Sequence, residues 1–209
     1  LIVHYNHILK TLEAIIKFTK QSCGGFLVRE DFVMTAASCI RSYGDNSNSV
    51  ASSSKKTIVS LFSSDQLQCK WLSTESRTMH LLFQLKTPAN LNRTVNTIAL
   101  PKPGNEKISK DCMVMGWGWQ NYDNESPSDV LKEAKVTLID SENCGTADTL
   151  CTQESAGPAQ GDGGGPLVCG GVAQGIVSFY NTKTKPYLTV YTHISHYFSW
   201  IHDHMKPTQ

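Results

Sequence analysis

The 209-residue chain has almost no net charge, since 19 Lys and Arg stand against 18 Asp and Glu for a balance of +1. No basic stripe is available to neutralise phosphates, which excludes nucleic acid as a natural ligand. No apolar run approaches the roughly 18 to 20 residues that span a bilayer, so membrane insertion by a helix is excluded as well. Metal-ligand spacing is missing: there is no paired Cys-x-x-Cys, and neither His193 with His196 nor His202 with His204 has a completing ligand. No metal or other cofactor is therefore expected. The opening Leu1-Ile2-Val3-His4 lacks the cationic start and apolar core of a secretory leader, so a secreted protein would be in its processed form. Internal repeats are lacking too. What the chain does hold is seven cysteines at irregular intervals, in company with many Ser, Thr, Asn and Gly residues, which fits a secreted, extracellular, disulfide-bearing protein. Asn92-Arg93-Thr94 and Asn124-Glu125-Ser126 are glycosylation acceptor triplets, the second weakened by Pro127.

Short apolar runs separated by turn residues predict an all-β barrel or sandwich. Candidate strands cover 25–28, 57–62, 80–85, 113–116, 136–139, 166–169 and 175–179. Two stretches have helical spacing instead: Ile8, Leu12, Ile15 and Ile16 near the start, and Ile194, Phe198 and Ile201 near the end. Ser195 is placed to cap the second helix and Pro207 to stop it. Residues 42–56 are almost devoid of apolar side chains and read as an exposed loop. The Pro/Gly cluster at 100–105 reads as a connection between two lobes, 1–103 and 104–193, with a helix over 194–206. No serine stands in a motif that brings a base beside it.

Residues 160–169, Gln-Gly-Asp-Gly-Gly-Gly-Pro-Leu-Val-Cys, resemble the Gly-Asp-Ser-Gly-Gly-Pro motif of trypsin-like serine proteases, with Gly163 in place of the serine. The resemblance continues in chain order through Cys23-Gly24-Gly25, Met34 to Cys39, Leu81 to Leu85, Ile98 to Pro101, Cys112 to Gly118, Gly175 to Ser178, Val190-Tyr191-Thr192 and Ser199-Trp200-Ile201. It implies a single domain of two packed six-stranded antiparallel β-barrels with a C-terminal helix. The family's serine, histidine and aspartate form a proton-relaying triad. By that resemblance their positions are Gly163, Ser38 and Met79, or His80 with a one-residue gap. In a related triad system, loss of nucleophile or base lowers turnover about a million-fold, so the expectation is a pseudoprotease and not an enzyme. The oxyanion-hole donors would be the backbone N–H groups of Gly161 and Gly163, beside Asp162, on a turn loosened by a third consecutive glycine.

The same resemblance puts Gly157 at the floor of the substrate pocket, where no carboxylate selects a cation, and Tyr180 and Thr189 where the family keeps glycines. A narrowed or plugged cleft follows. It also implies the disulfides Cys23–Cys39, Cys112–Cys169 and Cys144–Cys151, with Cys69 left as a buried thiol or an intermolecular link. Asp162 could retain an ion pair with the amine of a terminus at Leu1 or Ile2. Among trypsin-like proteins the chain resembles the inactivated serine protease paralogues of the scabies mite. That likeness implies a secreted, monomeric protein of the gut lumen whose partners are host proteins, specifically complement components whose activation it blocks. The alternative is a decoy that captures protease inhibitors or substrates.

Overall fold

The computed structural model describes residues 13–18, 21–36, 39, 80–85, 87–93, 95–104, 107–121, 124–140, 142, 144, 146–181 and 185–206. Ser38, Met79, Cys69, the 42–56 loop, the 57–62 strand, Ile8 and Leu12, the first residues and Pro207 lie outside them. Twelve strands are present among the described residues. The first four, β1 (Glu13–Phe18), β2 (Gln21–Arg29), β3 (Phe32–Ala36) and β4 (His80–Gln84), form an antiparallel sheet in that order. β6 (Trp119–Asn121) and β7 (Asn124–Pro127) pair as a small ribbon.

The larger sheet has six strands in the order β8-β5-β10-β11-β12-β9. These are β5 (Asp111–Gly116), β8 (Lys132–Thr137), β9 (Thr149–Glu154), β10 (Pro166–Cys169), β11 (Val172–Asn181) and β12 (Tyr187–His193). Leu138 bridges Thr152, and the Ile139 N–H donates to the Cys151 carbonyl at 3.0 Å, so the two outer strands meet and the sheet curls on itself. Such closure leaves fewer unpaired backbone edges. The all-β, trypsin-like architecture expected from the sequence is observed.

The expected N-terminal helix is corrected. Ile15 and Ile16 lie in β1, which pairs from Glu13 opposite Phe26 to Phe18 opposite Gln21. Apolar spacing over so short a run does not separate helix from strand, and β-branched residues with a free neighbouring edge favour the strand. At the other end the helical reading holds in a tighter form: a 3-10 turn over Ile194–Tyr197 leads into α1 (Phe198–His204). Ser195 is not its cap, because neither helical segment has a side-chain cap; its hydroxyl is hydrogen-bonded to His193 instead.

One core joins the two sheets: Phe26, Phe32, Met34 and Leu82 pack with Val168, Ala173 and Ile176, and Ile194, Tyr197 and Ile201 cover it from the helical end. Residues 98 and 99 stitch the sheets together by backbone, with the Ile98 N–H donating to Leu27 and the Ala99 carbonyl accepting from Ala173, both at 2.9 Å. Arg29 fastens the C-terminal helix. It forks onto Asp31, donates to the Met205 carbonyl and lies over the Phe32 ring.

A second core fills the curled sheet with Val114, Val136, Leu138, Leu167, Val177 and Tyr191. Tyr191 is wholly buried, and its hydroxyl meets Thr152 at 3.0 Å. We expect Tyr191→Phe to lower stability by about 1–2 kcal/mol, the usual loss when a buried hydrogen bond is broken. Urea unfolding would show an earlier midpoint, and a double-mutant cycle with Thr152→Val would recover the coupling.

Candidate active site

The segment 157–165 is held by backbone bonds to three different strands. Gly24 N–H on β2 donates to the Gly163 carbonyl at 2.8 Å; Gly164 N–H donates to Val177 on β11 at 2.8 Å, and Val177 N–H returns a bond to Gly165 at 2.9 Å. Trp119 N–H, at the start of β6, takes the Gln160 carbonyl. Within the turn, Asp162 N–H bonds Ala159 and Gly165 N–H bonds Asp162, both at 3.0 Å. This corrects the expectation that a third glycine loosens the turn: the bonds that fix it are backbone ones, which any residue at 163 would make. Among the described residues no acceptor takes the N–H groups of Gly161 or Gly163, the two expected to form the anion-binding hole.

The three glycines are not equivalent. Gly161 and Gly164 have φ of 103° and 88°, in the left-handed region that disfavours side chains, whereas Gly163 does not. A Cβ on Gly164 would overlap the Thr35 hydroxyl and come within 2.5 Å of the Gly24 carbonyl oxygen; one on Gly163 would meet nothing within 4 Å. The turn thus keeps an ordinary backbone and an open space at the position where the nucleophile would stand.

Asp162 turns inward onto the Gly116-Trp117-Gly118 segment. Its Oδ1 accepts from Gly118 N–H at 2.6 Å and its Oδ2 from Ala159 N–H at 2.9 Å. A side chain on either Gly116 or Gly118 would collide with this carboxyl. Burial pushes the Asp162 carboxyl up to about 6, against the two N–H bonds that favour its charged form. A small cleft of about 30 Å³ lies beside it, lined by Gly116, Gly118, Lys132, Gly157 and Asp162. That is room for about two water molecules.

On the substrate side, Tyr180 stands opposite Thr189 in the β11–β12 register, and Thr189 is 3% exposed. The Thr189 hydroxyl lies 3.7 Å from where a Cβ on Gly157 would be, so floor and wall of the expected pocket are in contact range. The Tyr180 hydroxyl is raised above its ordinary value, first by burial and then by the charge of Asp162. Phe179, next to it, is 57% exposed. All three expected disulfides are formed, and Sγ of Cys39 lies 3.4 Å from the Gly163 carbonyl oxygen. Ser38 and Met79 are outside the described residues, and His80 begins β4. Asn92 is exposed, while Asn124 begins β7. The seat of Asp162 was not foreseen; the Gly-Trp-Gly spacing at 116–118 is the signal for it.

Two measurements test this geometry. Gly164→Ala should destabilise by roughly 3 kcal/mol or more, from strain and overlap together, whereas Gly163→Ser should leave the unfolding free energy from urea titration unchanged or raise it by up to about 1 kcal/mol. The second concerns pH. Because the folded Asp162 binds its proton more tightly than the unfolded chain does, stability should fall as pH rises from about 4 to about 6, by up to about 3 kcal/mol. Asp162→Asn should flatten that part of the profile of unfolding free energy against pH.

Residues 7–201 match the trypsin family model. The chain is 36% identical to a chymase of Cavia porcellus over 90% of its own length and 80% of the relative's, and 34% identical to mast cell protease 2 of Ovis aries over 97% and 87%. Mouse neuropsin, described as a serine protease, superposes with a TM-score of 0.77 over 98% of this chain and 99% of that one; at 24% identity it speaks to the fold alone. These relatives overturn the expectation that the chain is not an enzyme, since those it is similar to are chymases and proteases. Its residue 163 remains glycine, so no side chain at that position attacks a carbonyl. From residue 7 to residue 201, and in both sheets and the closing helix, the chain belongs to the trypsin family of serine proteases.

Proposed function

We propose that this trypsin-family chain is an extracellular protein that works by recognising a polypeptide with its surface loops rather than by taking a side chain into a deep pocket. What supports this is the arrangement at the expected pocket, where Tyr180 pairs with a buried Thr189 across β11 and β12 and the Thr189 hydroxyl lies within contact range of Gly157. Gly157 offers no anion, and the Asp162 carboxyl that lines the same cleft is already engaged by the Gly118 and Ala159 N–H groups. Three disulfides support an oxidising, extracellular setting, and no helix among the described residues is long and apolar enough to cross a membrane.

Host complement components, in a gut lumen, are the partners that the resemblance to the mite paralogues names. The 161–165 turn favours a second reading, a decoy for protease inhibitors, because its backbone is held as a substrate-binding loop would be.

A pull-down of serum proteins on the intact chain and on Tyr180→Gly separates these. Loop recognition predicts capture of a complement component by both proteins, with reduced lysis in a haemolytic assay. Capture of protease inhibitors, strengthened about tenfold or more by Tyr180→Gly, would favour the decoy. Cleavage of the captured partner would replace binding by proteolysis, and no capture would discard both recognition readings.

A further inference from the structure

At the end of β12, away from the 157–165 segment, a serine and a histidine meet. Ser195 Oγ lies 2.7 Å from His193 Nε2, within hydrogen-bond reach. In the neutral tautomer that carries its ring proton on Nδ1, Nε2 accepts the Ser195 hydroxyl proton. The backbone of His193 is fixed as well, its N–H donating to the Asp148 carbonyl at 2.8 Å and its Cα paired with Gly175 across β11. A hydroxyl with a base within hydrogen-bond reach, on a backbone fixed on both sides, is the core of an activated nucleophile. Both side chains are partly exposed, so a reagent can approach.

We propose that Ser195 is an activated serine, with His193 as its base, and that it is modified stoichiometrically by activated acyl or phosphonyl electrophiles. With a fluorophosphonate the Oγ–P bond forms as the P–F bond breaks. Fluoride leaves, and the hydroxyl proton passes to His193 Nε2 and from there to water. Burial, together with the neighbouring His196, lowers the His193 imidazole below its ordinary value, the Ala147 backbone acting the other way. Among the described residues Asp148 and Tyr197 also lie at this end and bond each other at 2.9 Å, Tyr197 donating to Asp148 Oδ2. Loss of the proton from His193 therefore sets when Nε2 can accept one.

This inference stands apart from the pocket, because a serine-directed reagent has no hydroxyl to meet at Gly163. The test is to treat the folded, disulfide-bonded chain with a fluorophosphonate probe and to map the adduct by mass spectrometry after digestion. The expected result is one adduct on Ser195, absent from Ser195→Ala and formed at least tenfold more slowly in His193→Gln. On the unaltered chain the labelling rate should rise with pH to a plateau, with a midpoint below the ordinary histidine value of about 6.5; this profile serves even if His193→Gln fails to fold. An adduct only at another serine, none at all, equal rates in His193→Gln, or a rate with no midpoint in that range would overturn it.

Discussion

The two sheets touch backbone to backbone, and the remainder of the site depends on that contact. Gly24 on β2 approaches the 163–165 turn so closely that a Cβ on it would stand 2.8 Å from the Gly165 nitrogen, and its N–H holds the Gly163 carbonyl. Gly164 meets the same carbonyl edge of β2 from the other side, with Thr35 filling the remaining space and donating its hydroxyl to Gly24 at 2.7 Å. Interiors pack too densely to absorb even one extra methyl group without displacement. Any residue other than glycine at this crossing would push the sheets apart and release the turn.

From that crossing the electrostatics of the site follow. Holding the turn against β2 and β11 directs Asp162 into the Gly116–Gly118 segment, where the Gly118 and Ala159 N–H groups donate to its oxygens. Its raised carboxyl shows that desolvation exceeds what the two bonds return. The same charge reaches Tyr180 across the pocket, so wall and turn form one electrostatic unit. Residue 163 sits inside this arrangement with an unstrained backbone and empty space above it. Its lack of a side chain is a property of the residue and not of the surrounding loop.

Much of this was legible in the residues. The Gly-Asp-Gly-Gly-Gly-Pro run and the other motifs in chain order pointed by resemblance to the family and the three disulfides, and the alternation of short apolar segments with turns pointed to the β architecture, which is a local signature. The juxtaposition of Tyr180 and Thr189 on β11 and β12 agrees with the positions that the same motifs assign them. The segment from Glu13 to Phe18 was not: its apolar spacing fits a helical face, and only the free edge of β2 makes it a strand. Nor was the role of Ser195, whose position before α1 suggests a cap until the end of β12 brings His193 beneath its hydroxyl.

The residues alone therefore determined the absence of a hydroxyl at 163, a question of which atoms the chain contains, while the family and the disulfide pairing were implied by the resemblance of its motifs. Tertiary structure decided the firmness of the triple-glycine turn, the protonation of Asp162 and the Ser195–His193 contact. Those depend on bonds and burial contributed by strands far along the chain, and no local pattern carries that information.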